Sequence, residues 1–215
     1  MEVLVPDGQT CCGQPAYNAG FWGQARLMAQ QTIQTLESSP DPVVIPSGSC
    51  THMIRHGYPS LFRDDPGWLV RSEQLAARTY EWSEFIVDVL GVEGFRSSFN
   101  GKIAYHASCH LLRGLGTDQN ARVLLENSFY DSQVVWLSEE CCGFGGVFAV
   151  EYPELSTAIL DRKVDQILAS GAELVTGCDV SCLMQIEGRL RRIDAEVRCA
   201  HLAELFTDQE PGWRS

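Results

Sequence analysis

The sequence has little positive charge, no long apolar run and no basic leader. Lys and Arg number 16 against 28 Asp and Glu in 215 residues, a net charge of −12, and no basic cluster offsets it. That balance argues against nucleic acid and anionic lipid as main partners. The longest charge-free stretch, Gly8 to Ala25, is full of Gln, Asn, Gly and Cys, so no integral membrane segment is expected. The opening Met1-Glu2-Val3-Leu4-Val5-Pro6-Asp7 has neither a basic n-region nor a long apolar h-region. No export signal is read from it, and a cytoplasmic location is expected. Walker-type loops and G-x-S-x-G are absent, and Cys142-Gly143-Phe144-Gly145-Gly146 cannot be extended to a dinucleotide fingerprint.

Cysteine, by contrast, is plentiful: Cys11, Cys12, Cys50, Cys109, Cys141, Cys142, Cys178, Cys182 and Cys199. The count is odd and two pairs are adjacent, which makes poor material for a disulfide framework. In a cytosolic setting such clusters point to metal or redox sites.

The cysteine loops reveal an internal repeat. EVLVPDGQTCCG (2–13) matches QVVWLSEECCG (133–143), and VVIPSGSCTHMI (43–54) matches the stretch around LVTGCDVSCLMQI. Cys12 to Cys50 is 38 positions and Cys142 to Cys182 is 40. The chain therefore reads as two copies of one unit, 1–97 and 98–215, with GVEGFRSSFNG (91–101) as the boundary. Short β-branched runs at 3–5, 43–45, 102–105, 134–137 and 173–176 predict buried strands. Apolar stripes predict helices: Ala25, Met28, Ala29, Ile33 and Leu36; Leu75, Thr79, Trp82, Ile86 and Val89 over 72–90, from a Ser72 cap; and Leu155, Ile159, Val164, Ile167 and Leu168 over 153–169. Alternating strands and helices predict an α/β fold. Each repeat should hold a parallel sheet flanked by helices, with the cysteine loops at the strands' carboxyl ends.

The second repeat holds Cys109, Cys141, Cys142, Cys178 and Cys182 in the pattern Cys-x31-Cys-Cys-Gly-x34-Cys-x3-Cys. Five thiolates in three neighbouring loops suit a multinuclear iron site, because iron–sulfur clusters require several soft ligands. Adjacent cysteines can reach different irons, which a mononuclear zinc tetrahedron does not need. Zinc remains the rival metal, since thiolate sets also bind it. Use of Cys141 and Cys142 as a thiol–disulfide pair is a further alternative. Cys11, Cys12 and Cys50 fit equally a metal site with an added ligand or the relic of one. His106 and His110 flank Cys109 and read better as loop-orienting hydrogen-bond groups than as ligands. His52 and His56 follow Cys50, and either a place in its cavity or a surface role suits them. Cys199 fits no repeat position and reads as core.

These motifs resemble the cysteine-rich CCG-domain family, which includes a cysteine-rich subunit of heterodisulfide reductase and iron–sulfur subunits of glycolate oxidase and anaerobic glycerol-3-phosphate dehydrogenase. QTCCGQPAYNAG, PSGSCTHMIRHGYP, YHASCHLLRGLG and EECCGFGG carry the likeness, which covers nearly the whole chain and is strongest toward lactate-utilising members. The resemblance implies an iron–sulfur electron-transfer subunit, with a cluster of the 4Fe–4S type, in a complex that oxidises L-lactate to pyruvate. It implies partner subunits, one of them a second iron–sulfur protein. Heterodisulfide-reductase-like chemistry, a glycolate or glycerol-3-phosphate oxidoreductase, and a zinc-stabilised interaction subunit are the alternative readings. Three departures from the family pattern stand out. The last pair is Cys-x3-Cys rather than Cys-x-x-Cys, and the first repeat lacks the penultimate cysteine before Cys50. Cys109 lies 32 positions before Cys141, so its first-repeat counterpart falls ahead of Met1. A truncated first repeat, with an open strand edge or exposed apolar face beside 3–5, is therefore expected.

Overall fold

The computed structural model describes residues 2–97, 99–129 and 134–207. They form two compact units: the chain up to Ile45 with Ser49–Glu81, and Pro46–Gly48 with the chain from Trp82 onward.

In the first unit, helix α1 (Trp22–Leu36) buries Ala25, Ala29 and Ile33, spaced four apart so that they share one face. That face packs on Met53, Ile54, Tyr58, Leu61, Phe62 and Leu75. Strand β1 (Val43–Ile45) is followed by a helical segment, Gly48–Leu61, whose middle turn, Met53–Gly57, widens to π geometry. Helix α2 (Pro66–Ala77) begins at Asp65, whose carboxylate accepts from the Trp68 amide at 3.3 Å, with Pro66 at the first helical position. Strand β2 (Thr79–Glu81) then lies parallel to β1, with Val43 opposite Thr79.

Two expectations fail in this unit. The helix expected over 72–90 is broken: it starts earlier, at Pro66, and β2 interrupts it at Thr79. Thr79 and Glu81 are buried while Tyr80 is half-buried, an alternation of period two set by pairing with β1. Tertiary pairing overrides the helical stripe, and Ser72 sits inside the helix, where its hydroxyl donates to the Leu69 carbonyl at 2.7 Å. The strand expected at 3–5 is irregular, with Val3, Leu4 and Val5 76%, 67% and 79% exposed. Its counterpart in the second unit pairs with a strand that has no equivalent among the described residues of the first. Without a neighbour the backbone gains no ladder hydrogen bonds.

The second unit is a four-stranded parallel sheet. Its elements in order are β3 (Ile103–Tyr105), α3 (Asp118–Ser128), β4 (Val134–Trp136), α4 (Pro153–Ser170), β5 (Leu174–Gly177), α5 (Val180–Arg192) and β6 (Arg198–His201). The spatial order is β4-β3-β5-β6, all parallel. Alternation sends Ile103, Tyr105 and Leu174 to one face, against Ala121, Leu124 and Leu125 of α3. Ala104 and Val175 go to the other face, against Leu160, Val164 and Ile167 of α4 and Leu183, Ile186 and Leu190 of α5. The chain leaves β3 for β4 on one side and crosses to β5 on the other, so the strand order reverses at β3. A crevice outside the carboxyl ends of the strands is the consequence.

A buried polar link fastens α3 to this sheet. The Tyr105 hydroxyl donates to Asp118 Oδ1 at 2.7 Å, and Arg122 Nε donates to Oδ2 at 2.7 Å. Tyr105→Phe removes one donor from a carboxylate that stays buried, so stability should fall by about 1–3 kcal/mol in denaturant unfolding. An unchanged midpoint would show that the link contributes nothing.

Candidate metal centre

Three loops converge at the crevice, each following a strand. After β3 the ladder continues for one residue, since the His106 amide donates to the Thr176 carbonyl at 2.9 Å. His106 therefore keeps strand parity and shares the face of Ala104. Cys109 precedes a π-helical turn, His110–Leu115, and its Sγ lies 3.7 Å from His110 Nδ1. Arg113 of that turn donates to the Glu139 carbonyl at 3.1 Å, tying the first cysteine loop to the second.

After β4 comes the Cys-Cys-Gly loop, clamped on α4. Gly143 has φ +82°, and a Cβ there would stand 2.4 Å from the Ser156 carbonyl oxygen, so no other residue fits without a shift. The Ser156 hydroxyl donates to the Gly143 carbonyl at 2.8 Å. Two turns along, Lys163, fully buried, donates from Nζ to the Ser138 carbonyl at 2.6 Å. Ser138 in turn donates to Gln166 Oε1 at 2.8 Å. Within the loop the Gly143 amide donates to Cys141 Sγ at 3.3 Å.

After β5, the change from strand to helix divides the last two cysteines. Cys178 keeps step with Leu174, is fully buried, and packs in the core beneath α3. Cys182 lies in the first turn of α5, whose cap Asp179 accepts from the Ser181 amide at 3.3 Å. It is buried with Cys142 in the core beneath α4. The donor atoms of His106, Cys142 and Cys182 lie within 4.8 Å of one another, close enough to hold one metal ion.

Hydrogen bonding extends the group to four sulfurs. Cys141 has the side chains of Cys109 and Cys142 as partners, and Cys142 also has that of Cys182. With those bonds and the Gly143 amide favouring its thiolate, Cys141 is pushed down to about 2. The same sharing, with burial, drives Cys109 and Cys142 upward. Burial, aided by the Lys163 ammonium, holds His106 down to about 4, so its ring is neutral at physiological pH. Burial lowers Lys163 too, while Glu140 and the nearby thiols oppose that shift. Several thiols held together in one buried place suit a metal that binds the deprotonated set.

Of the five second-repeat cysteines expected at the site, Cys109, Cys141, Cys142 and Cys182 are thus brought together, and Cys178 is on the opposite face of the sheet. The loop-orienting role expected of His106 is not what the structure shows: neither ring nitrogen has a hydrogen-bond partner among the described residues. The period-two pattern Ile103-Ala104-Tyr105-His106 is the sequence signal that places it. Cys199 lies in β6 beside the α4 core, where burial pushes its thiol up to about 12. In the first unit, Cys12 and Cys50 approach to 3.0 Å between sulfurs, and the hydroxyl of buried Tyr58 donates to the Cys12 carbonyl at 3.0 Å. Cys11 is exposed. The His52 and His56 rings stand 4.9 Å apart.

Residues 1–55 and 103–187 match the family model of the cysteine-rich domain, CCG. The chain belongs to this cysteine-rich CCG-domain family. Over 209 residues it is 45% identical to lactate utilization protein A of Exiguobacterium sp. (strain ATCC BAA-1283 / AT1b), spanning 96% of this chain and 85% of that protein. It is 44% identical over 210 residues to lactate utilization protein A of Macrococcus caseolyticus (strain JCSC5402), spanning 97% of this chain and 84% of the relative. To lactate utilization protein A 2 of Bacillus cereus (strain Q1) it is 41% identical over 207 residues, spanning 96% and 85%. Among the described residues no helix is long and apolar enough to cross a membrane.

Gly143→Ala tests the clamp on the Cys-Cys-Gly loop. The left-handed backbone alone should cost about 1–3 kcal/mol, and the clash with Ser156 adds to it. Thermal unfolding of the variant should show the loss, together with weaker metal retention. Full stability in Gly143→Ala would mean that α4 does not hold this loop.

Proposed function

We propose that this chain is an iron–sulfur electron-transfer subunit of a system that oxidises L-lactate to pyruvate. The names of its relatives support the pathway, and the donor chemistry of the crevice supports the cofactor. The observation that carries the reading is the meeting of four thiols at the carboxyl end of one parallel sheet. Soft thiolates in that number select iron–sulfur clusters or zinc over hard cations. The orphaned, buried imidazole beside them is a polar group that a bound metal would satisfy. The residues present therefore fit the group.

Cys109, Cys141, Cys142 and Cys182 would hold a cluster of the 4Fe–4S type, and Cys178 packs behind the crevice. When bound, such a cluster supplies one-electron transfer at a potential set by its ligands, hydrogen bonds and burial. The chain supplies the rest. Lys163 anchors the Cys-Cys-Gly loop through the Ser138 carbonyl, the Gly143 amide hydrogen-bonds Cys141, and the core beneath α4 excludes water from Cys142 and Cys182. The same reading divides the chain into repeats 1–97 and 98–215. It makes the protein a cytoplasmic member of an oxidoreductase complex whose partners include a second iron–sulfur protein.

Anaerobic purification followed by iron and sulfide assay tests this. The wild type should be brown and contain both, Cys142→Ala should lose most of the iron, and Cys199→Ala should keep it. A colourless protein with stoichiometric zinc would overturn the proposal in favour of a zinc-stabilised interaction subunit. Equal iron loss in both variants would overturn the ligand assignment.

A further inference from the structure

The imidazole of His106 has no role in the hydrogen bonding of its loop. The residue is only 2% exposed, and both ring nitrogens are buried without a hydrogen-bond partner among the described residues. Leaving a buried polar atom unsatisfied is costly, so two on one ring call for an explanation. The backbone offers no release. The His106 amide is fixed to the Thr176 carbonyl at 2.9 Å, and a Cβ on Gly177 would come within 2.8 Å of the His106 carbonyl oxygen. The strand ends are thus locked together with the ring directed to the face of Ala104. There one of its ring nitrogens and the sulfurs of Cys142 and Cys182 lie within 4.8 Å of one another.

Strand parity also explains why an imidazole is present where the cysteine pattern predicts a fifth sulfur. Cys178 ends β5 in step with Leu174 and is buried in the core beneath α3. His106, one residue past β3 and in step with Ala104, occupies the thiol-lined side instead.

We infer that a ring nitrogen of His106 is a ligand of the metal centre, completing a mixed nitrogen–sulfur donor set with Cys109, Cys141, Cys142 and Cys182. The inference rests on the metal-binding reading given above and deepens it. Compared with a set in which Cys178 supplied the fifth donor as a thiolate, a neutral imidazole leaves the ligand set with one negative charge fewer. It therefore stabilises the reduced state and raises the potential, as histidine ligation does in other iron–sulfur centres. His110, whose Nδ1 lies 3.7 Å from Cys109 Sγ, already has a sulfur neighbour and serves as the comparison.

The test uses the full chain, loaded anaerobically and labelled with either 14N- or 15N-histidine. Pulsed EPR of the paramagnetic oxidation state should show a histidine nitrogen coupling in the wild type and in His110→Gln, and none in His106→Gln. His106→Cys should retain iron, lose the nitrogen coupling and titrate at a more negative potential. A wild-type cluster without histidine coupling, or a coupling that survives in His106→Gln, overturns the inference while leaving the iron–sulfur reading intact. If the chain takes up no iron and sulfide at all, that reading fails, and His106 is tested separately with cobalt(II) added to the metal-free protein. Hyperfine-shifted imidazole resonances should then appear in the wild type and be missing in His106→Gln. Identical cobalt spectra for the two would overturn the ligand assignment.

Discussion

Crowding several thiols and an imidazole into one buried crevice is the constraint to which the second unit answers. Like charges a few ångströms apart repel strongly in a medium of low dielectric, so the thiols cannot all ionise without a cation among them. The neighbours Cys109 and Cys142 favour the thiolate of Cys141, while those two are driven toward their protonated forms. Lys163 adds a buried positive charge anchored on the Ser138 carbonyl. A bound metal relieves the same conflict more completely, since it replaces the protons and satisfies the ring of His106. Much of the surrounding structure holds this group in place: Ser156 on Gly143, Arg113 on Glu139, and the Asp179 cap that starts the helix bearing Cys182.

The position of the crevice follows from topology. The strand order β4-β3-β5-β6 reverses at β3, and the loops that follow β3, β4 and β5 carry the thiols. A parallel sheet with helices on both faces leaves its carboxyl edge open at such a reversal, which is why sites form there. The first unit keeps a Cys-Cys-Gly loop and a strand pair, β1 and β2, corresponding to β5 and β6. Its sulfurs are correspondingly fewer, with Cys12 and Cys50 adjacent and Cys11 exposed.

Local pattern carries much of this fold. The α1 stripe and the runs at 43–45, 102–105, 134–137 and 173–176 correspond to observed elements. Helix α4 forms where a helix is expected, but Leu155 and Leu168 of its stripe are exposed and the buried face runs through Ser156, Leu160, Lys163, Val164 and Ile167. Two segments depart from their local pattern for one reason. At 3–5 the β-branched run has no strand to pair with among the described residues, and at 79–81 a strand partner exists where the sequence shows a helical stripe. Pairing is a long-range property, and no local period reports it. The cysteine motif identifies the loops, yet spacing alone leaves Cys178 and Cys182 equivalent. Cys178 continues the strand in step with Leu174, whereas Cys182 lies in the first turn of the next helix, and counting alternate residues from Ala104 brings His106 to the thiols.

The central claim is that the gathered donors form one polynuclear iron site. Iron K-edge X-ray absorption of the anaerobically loaded chain addresses it directly, because scattering from neighbouring atoms reports both ligand type and nuclearity. The account predicts a first shell dominated by sulfur, with a clear contribution from a second iron. A first shell of nitrogen and oxygen with no iron neighbour would contradict it.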